Sequence, residues 1–230
     1  MKKKLTFYTE AAYVVGLLGI AFGVTLMERA DFGLSMVVAP AYVLHRYIST
    51  LPGMAWFTFG VAEYVLQAGV ILLLTLAVRR FRLSYLFSFV TAVIYGYILD
   101  FFLMLMPAVA ADQWGIRILF FILGEIFCAV GVSMMFRTYI SPEAYELFVA
   151  QVALRYNKRT GVVKTVYDCV SCAVGIALSF IFFGMWTFVG VNWGTIVCAR
   201  TNGFIISLFG KLWDRIFIFR DGLKLRRFFE

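Results

Sequence analysis

The segment Cys169–Ala199 contains no charged side chain. Four further runs carry at most one charge each: Ala11–Met27, Ala55–Val78, Leu83–Met106 and Ile118–Phe136. A helix needs about 20 predominantly apolar residues to cross the hydrocarbon core of a bilayer. These runs are longer than the apolar segments in the core of a soluble protein, and the composition agrees, since 63% of the chain is hydrophobic and only 15% is charged. They predict an all-α polytopic membrane protein.

Most basic residues are concentrated in four clusters, which predict the orientation of the chain. The clusters are Lys2–Lys4, Arg79–Arg82, Lys158–Arg159 and Lys211–Arg227. Lysine and arginine are enriched in cytoplasmic loops, so we expect all four clusters in the cytoplasm. The net charge of +8 is then a signal of orientation and of contact with lipid headgroups, not of nucleic-acid binding. Both termini are cytoplasmic in this arrangement, which requires six transmembrane helices, at about residues 8–28, 55–78, 83–106, 116–136, 163–183 and 192–213.

The chain contains an internal repeat, in which the segment Gly16–Arg29 recurs as Gly124–Arg137. Six of the fourteen positions in the two segments are identical. The match continues at a slightly shorter offset, where Gly69 corresponds to Gly175. Each half holds three crossings, and this odd number gives the halves opposite topologies, as in many transporters. The prediction is two inverted repeats of about 107 residues, at 1–110 and 111–214, followed by a basic, aromatic cytoplasmic tail at 215–230 that lies in the membrane interface.

Small residues recur at close spacing in the first helix of each half. Gly19 and Gly23 are four positions apart, and the second half repeats the pattern with Gly124, Cys128 and Gly131. Such spacing lets two helices approach closely within a membrane. We interpret these residues as packing positions.

Each half also contains a short helical stretch, at about residues 35–50 and 142–156, which cannot cross the membrane in this arrangement. We expect Ser35 and the segment Ser141–Glu143 to cap these helices, since serine is favoured at the N-cap and proline at the first helical position. If these N-termini point into the bundle, they attract a negative group. Alternatively, the short helices lie in the membrane interface, with a polar arc formed by Glu143, Glu146 and Gln151.

Four ionisable residues lie inside the predicted spans: Glu63, Asp100, Glu125 and Arg200. Charged groups within a membrane are costly, so they indicate functional sites by default. Arg200 is the expected partner of Glu63 or Glu125, either in a structural ion pair or in a substrate or proton site. The predicted substrate-binding residues are Arg200, Asn202, Glu63, Gln67, Glu125, Ser35 and Ser141, and the proton-coupling candidates are Glu63, Glu125 and Asp100.

Cys169 and Cys172 are spaced to share one helix face, where a thiol pair can exchange disulfides. The remaining cysteines, Cys128 and Cys198, lie inside predicted spans, and the single histidine, His45, has no triad partners. Two adjacent thiols without a histidine provide too few ligands for a zinc site. We therefore predict no enzymatic activity, no metal and no cofactor, with a membrane thiol oxidoreductase as the least favoured alternative.

The glycine motifs resemble those of a known family. The pattern Gly-x-x-Leu-x-x-x-x-x-x-Gly-x-Ser in the first half, repeated around Gly131–Pro142, is similar to the YczE-like and YitT-like bacterial integral membrane proteins. The pair Gly194-Thr195 ahead of Gly203 adds to the similarity. The chain departs from the pattern at Met36 and Val37, where related proteins carry proline. The resemblance implies a bacterial inner-membrane location and transport, without a substrate that can be carried over.

These observations favour a secondary transporter of a small anionic or zwitterionic solute in the bacterial cytoplasmic membrane. The expected partners are the lipid bilayer and a small-molecule solute, and assembly into a homo-oligomer is compatible with this function. A non-transporting membrane subunit or assembly partner is the alternative from a different functional class.

Overall fold

The computed structural model describes residues 5–81, 84–110, 112–158, 160–223 and 226. Within these residues the chain forms eight helices and two short strands. The elements are β1 (Leu5–Tyr8), α1 (Thr9–Ala30), α2 (Ala39–Ile48), α3 (Phe59–Val78), α4 (Ser84–Leu105), α5 (Trp114–Met135), α6 (Ala144–Arg155), α7 (Thr160–Phe183), α8 (Trp193–Ile216) and β2 (Phe217–Arg220). Several residues of the predicted basic clusters lie outside the described residues: Lys2–Lys4, Arg82, Arg159, Lys224 and Arg227.

Five of the described helices are long and apolar enough to cross a membrane: α1, α3, α4, α5 and α7. Helix α8 has 24 residues but a more polar sequence, which includes Arg200, Lys211 and Asp214. The predicted all-helical membrane architecture is confirmed at this level, with long and short helices within a few residues of their expected positions. The chain is a multi-pass helical membrane protein.

Helices α1 and α5 run antiparallel with their backbones in contact. Gly16 lies against Gly131, and Gly23 lies against Gly124. A Cβ atom added at Gly23 would stand 2.6 Å from the carbonyl oxygen of Gly124 and from Cys128 Sγ. The predicted role of these small residues in close helix packing is therefore confirmed.

The short helices α2 and α6 each begin beside the middle of a long helix and end near that helix's C-terminus. At the start of α2, Ser171 Oγ of α7 donates to the Met36 carbonyl (2.9 Å), and at its end Tyr47 stacks on Phe182, with ring centroids 4.2 Å apart. At the start of α6, Gln67 Oε1 of α3 accepts from the Ala144 N–H (3.0 Å). At the end of α6, Tyr156 Oη donates to the Ala77 carbonyl (3.1 Å). Each short helix thus covers half the length of a long one.

The predicted serine caps of the short helices are wrong. Helix α2 has Val38 at its N-cap, with Pro40 in its first turn, and Ser35 contributes its backbone carbonyl to the Val38 and Ala39 N–H groups. Helix α6 begins two residues later than expected, with Glu143 at its N-cap and no side-chain cap bond from that residue. A side chain of another helix, Gln67, satisfies the first N–H of α6 instead. Tertiary contacts here replace local capping.

The two ends of the chain meet in a parallel pair of strands. Leu5–Tyr8 of β1 pairs in register with Phe217–Arg220 of β2. Glu10 Oε1 accepts hydrogen bonds from the Leu223 N–H (2.8 Å) and from Tyr139 Oη (2.7 Å). The first part of the predicted tail is therefore the end of α8 and a β-strand, and its location in the membrane interface stays a prediction. Both chain ends lie at the same end of the bundle.

The contact between α1 and α5 predicts unequal effects of two glycine substitutions. Gly23→Ala should lower the free energy of unfolding by about 1–3 kcal/mol, because the new methyl group overlaps a backbone carbonyl. Gly69→Ala is the matched control, since a Cβ atom there meets nothing within 4 Å. The control should be neutral, or should stabilise α3 by up to about 1 kcal/mol. Thermal unfolding in detergent micelles measures both, and equal changes would contradict the close contact.

Candidate functional site

A cavity lies where the N-termini of both short helices meet α1, α5, α7 and α8. Its volume is about 60 Å³, which exceeds the roughly 10–15 Å³ that one ordered water requires. Apolar side chains such as Ile20, Val24 and Val132 form much of its wall. The polar side chains that line it are Ser35, Glu143, Glu146, Lys164 and Asn202.

The cavity exists because helices α3 and α4 pack against each other differently from helices α7 and α8. Helices α3 and α4 are in direct backbone contact, and a Cβ atom added at Gly60 would overlap the Gly96 carbonyl. In the described part of the chain, α7 and α8 do not pack along each other in this way. Lys164 of α7 and Asn202 of α8 therefore face one space from separate helices.

Groups of opposite charge face this cavity. The Lys164 ammonium group lies 3.2 Å from Asp168 Oδ1 and 3.8 Å from Glu146 Oε1. The Glu143 side chain is 5% exposed, and its Oε1 atom has no hydrogen-bond donor among the described residues. Asn202 Oδ1 is likewise buried without a donor within the described chain. The N-termini of α2 and α6 add partial positive charge. A ligand with both a cationic and an anionic group matches this arrangement.

Behind Glu143, a cluster of buried polar side chains connects the cavity to α3. The amide nitrogen of Gln67 lies 3.4 Å from Glu143 Oε2 and 3.5 Å from Glu63 Oε2. Tyr145 Oη donates to Glu63 Oε2 at 3.0 Å. Glu63 and Gln67 are both 0% exposed. The cluster thus places two carboxyl groups within hydrogen-bonding distance of one amide nitrogen.

The structure distributes the predicted site residues over several places. Ser35 and Asn202 line the cavity, and Glu63 and Gln67 join it through Glu143. Ser141 is buried just before the cavity residue Pro142, and its carbonyl accepts from Thr91 Oγ1 at 3.1 Å. The predicted set therefore forms one connected group only in part.

Glu125 and Asp100 lie in separate contacts, away from the cavity lining. Glu125 accepts a hydrogen bond from Thr201 between α5 and α8. Asp100 of α4 accepts bonds from Thr58 Oγ1 and from the Gly60 N–H (2.8 Å), so it caps the start of α3. These bonds are those of side chains that join helices.

Arg200 does not form the expected ion pair with a buried carboxylate. Its side chain is exposed, and the ion pairs found among the described residues do not include it. Arg200 follows the buried Cys198 by two positions, which is about 200° around the helix, so it points away from α5. The prediction failed because it used depth along the helix without its rotation.

Four residues that face or support the cavity were absent from the predicted site: Glu143, Tyr145, Glu146 and Lys164. The predicted charged site residues all come from the predicted spans. Helix α6 is a short helix outside these spans, yet it begins beside the middle of α3. Helix length offers a signal, because a 12-residue helix cannot span a bilayer and its N-terminus can lie inside the protein. An acidic residue at such an N-terminus is a candidate for a buried carboxyl group.

The thiol pair of Cys169 and Cys172 and the single histidine lie outside the cavity lining. Cys169 is exposed and Cys172 is half-buried on α7, and both thiols are free. His45 Nδ1 lies 2.8 Å from the Phe57 carbonyl. Among the described residues, no group of three or more histidine, cysteine, aspartate or glutamate side chains is arranged to hold a metal ion.

The placement of the arginines predicts which of them stabilises the fold. Arg200→Ala should change the free energy of unfolding by no more than about 0.5 kcal/mol, because its side chain is exposed. Arg117→Ala should destabilise by about 1–3 kcal/mol, since its guanidinium satisfies the Ala30 and Asp31 carbonyls at the end of α1. Thermal unfolding of the two variants makes the comparison. A large loss for Arg200→Ala would indicate a buried ion pair at that position.

Comparison with known proteins gives a family and no function. No curated protein and no solved structure matches this chain. A family model described as "Family of unknown function (DUF6198)" matches residues 7–211, which include all the residues of the cavity and of the carboxyl cluster. Since this match covers most of the chain, the protein belongs to the DUF6198 family of unknown function.

Proposed function

We propose that this protein is a secondary transporter of a small zwitterionic solute, which binds in the cavity between α7 and α8. The observation that carries the proposal is the meeting of two half-length helices at one cavity lined by Glu143 and Lys164. In transporters with broken or short helices, such N-termini bind anionic groups of the substrate. Since Glu143 also lines the cavity and favours a cationic group, we propose a zwitterionic solute and not a purely anionic one.

The chemistry of the cavity suggests an orientation for the solute. An ammonium group fits against Glu143 Oε1 and Asn202 Oδ1, since both atoms are buried acceptors without donors in the described chain. A carboxylate fits near the N-terminus of α2, where the helix dipole adds partial positive charge and Lys164 lines the wall. The small volume favours a solute with few heavy atoms.

Two inverted repeats account for the packing of the helices, and several contacts support them. The contact of α1 with α4 has its counterpart in that of α5 with α8, and the contact of α2 with α7 has its counterpart in that of α6 with α3. Arg29 donates to the Leu103 carbonyl, and its repeat counterpart Arg137 donates to the carbonyl of Gly210, which is the counterpart of Leu103. Equivalent hydrogen bonds at corresponding positions of the two halves are a signature of duplication.

The proposed topology has six crossings, with both termini in the cytoplasm. The pairing of β1 with β2 brings the chain ends to one side, which requires an even number of crossings. Five apolar helices together with α8 give six. The basic clusters and the resemblance to YczE-like and YitT-like proteins support a bacterial inner-membrane location.

The solute site predicts a specific loss of binding in one variant. A panel of amino acids and other zwitterions with a primary ammonium group is screened by thermal unfolding, since a solute that binds only the folded protein raises its Tm. Asn202→Leu should weaken binding of the stabilising solute by about 10- to 150-fold, because a hydrogen bond to a charged group is lost. Ser207→Leu, at an exposed position of the same helix, should leave the affinity unchanged.

Transport itself is measured with the same panel in reconstituted vesicles. Solutes that raise the Tm should enter or leave the vesicles, and Asn202→Leu should reduce this flux while Ser207→Leu preserves it. If no member of the panel moves, or if both variants behave alike, the proposed function is rejected.

The topology predicts opposite labelling at two loop positions. A cysteine introduced in place of Asp112 should react in intact cells with a maleimide that cannot cross the membrane. A cysteine in place of Arg80 should react only after the cells are permeabilised, since positive loops remain in the cytoplasm. The parent protein, with its native cysteines, serves as the blank. Strong labelling of position 80 in intact cells would exclude the six-crossing topology.

A further inference from the structure

We propose that Glu63 and Glu143 hold one proton between them, and that the ammonium group of the solute competes with this proton for Glu143. The protein then exchanges a proton for each solute molecule. This inference rests on the proposed transport function and names its coupling ion. The carboxyl pair and its connection to the cavity are the observations that carry it.

The two carboxyl groups are buried beside the amide nitrogen of Gln67. Gln67 Nε2 is within 3.5 Å of both Oε2 atoms, and the exposed fractions of Glu63 and Glu143 are 0% and 5%. Two ionised carboxylates at such a buried site repel each other and lack the solvation of water. One positive charge, held on or beside one carboxyl group, removes this penalty.

The described residues around Glu63 and Glu143 do not fully supply this compensating positive charge. Lys164 is the cationic side chain that faces the cavity, and its ammonium group is already paired with Glu146 and Asp168. The fully buried Tyr95 has a hydroxyl group without a hydrogen-bond partner among the described residues, and it feels the charges of both carboxyl groups. The titratable groups that face the pair are Tyr13 of α1, Tyr95 of α4, Cys128 of α5, Tyr145 and Glu146 of α6, and Lys164 and Tyr167 of α7.

The orientation of Gln67 favours a proton over a metal ion. Its Oε1 accepts from the Ala144 backbone N–H, so its NH₂ group must point toward the two carboxyl groups. Sodium, calcium and magnesium ions need oxygen ligands, and a donor NH₂ group between the carboxyl groups occupies the place where such an ion would bind. A proton on one carboxyl group is compatible with this geometry, because the amide still donates to the other.

The two carboxyl groups differ in their access to the cavity. Glu143 lines the cavity, and its buried Oε1 atom has no donor among the described residues. Glu63 lies behind Glu143, is fully buried and accepts a hydrogen bond from Tyr145 Oη. Glu143 is therefore the carboxyl group that the solute reaches, and Glu63 is its proton-sharing partner.

The exchange step is balanced in protons and charge. When the solute's ammonium group docks at Glu143, the O–H bond of the shared proton breaks and this proton passes to water on the open side of the cavity. The ammonium group keeps its own protons, and the pair carries one compensating positive charge before and after the step. Because protons flow inward across a bacterial inner membrane, the exchange drives the solute outward.

The experiment measures proton release by the purified protein in weak buffer with a pH-indicating dye. Methylammonium chloride serves as the probe for the ammonium group, and potassium chloride at equal concentration is the ionic control. The expected result is release of about one proton per protein with methylammonium, and none with potassium, because one charge replaces the other.

Variants assign the proton to the pair. Glu63→Gln and Glu143→Gln should each abolish the release, and Glu125→Gln should preserve it, since Glu125 lies outside the cavity in a bond to Thr201. The comparison of the two salts in the parent protein needs no variant, so it remains decisive if a substitution prevents folding. Absence of release from the parent, or release that survives both substitutions of the pair, overturns the inference.

Vesicle transport separates failure of this inference from failure of the proposed function. An inward proton gradient should accelerate efflux of a zwitterion from vesicles at least tenfold, and Glu143→Gln should remove this acceleration. Zwitterion flux that ignores the proton gradient overturns the exchange and preserves transport. Proton release by the parent without flux of any zwitterion in the panel supports the proton pair and overturns transport.

Discussion

The direct contact between the backbones of α1 and α5 is the constraint on which the rest of the structure depends. In a membrane, lipid competes with protein for apolar side chains, so helices associate mainly through close packing and hydrogen bonds. Glycines at positions 16, 23, 124 and 131 bring these two helices together at the centre of the bundle. Helix α4 then packs on α1 and α8 packs on α5. The short helices occupy the space that remains on either side, and the cavity lies between their first turns.

The sequence predicts the helices well because length, hydropathy and charge are properties of single segments. Runs such as Ala55–Val78 have to be helices in a bilayer, where every backbone group needs an internal hydrogen bond. The close contact at Gly23 could also be predicted, since small residues have few other uses at that spacing. The caps of the short helices could not, because the group that satisfies the Ala144 N–H belongs to Gln67, 77 positions away. Arg200 shows the same limit. Its position along the helix can be predicted from the sequence, whereas the face of α8 on which it lies depends on which side of α8 packs against α5.

The carboxyl cluster at the site is costly for the fold and is held by several hydrogen bonds. Buried polar groups destabilise a protein unless their partners are in place. Gln67 serves both carboxyl groups with its nitrogen and the α6 backbone with its oxygen, so one side chain ties the start of α6 to the cluster. The Oε1 atoms of Glu63 and Glu143, which have no partner in the part of the chain that the structure describes, are the unsatisfied part of this network. A ligand that satisfies one of them is bound more tightly for that reason, which links the cost of the cluster to its proposed use.

Divergence between the two proposed repeats places the carboxyl pair at the start of α6 and not at the start of α2. In the alignment of the two halves, Glu143 corresponds to Ser35, and Glu63 corresponds to Cys169. The carboxyl pair therefore has no counterpart of the same chemistry where α2 begins against α7. The long helices diverge in the opposite sense, since Gly60 and Gly96 close α3 onto α4 while α7 and α8 stay apart. Glu63 belongs to the first half, in which α3 and α4 pack together. Glu143 belongs to the second half, in which the separation of α7 and α8 leaves room for the cavity. Neither half alone contains both carboxyl groups. The proposed duplication would give two equivalent positions for such a pair, and divergence has placed carboxyl groups at one of them.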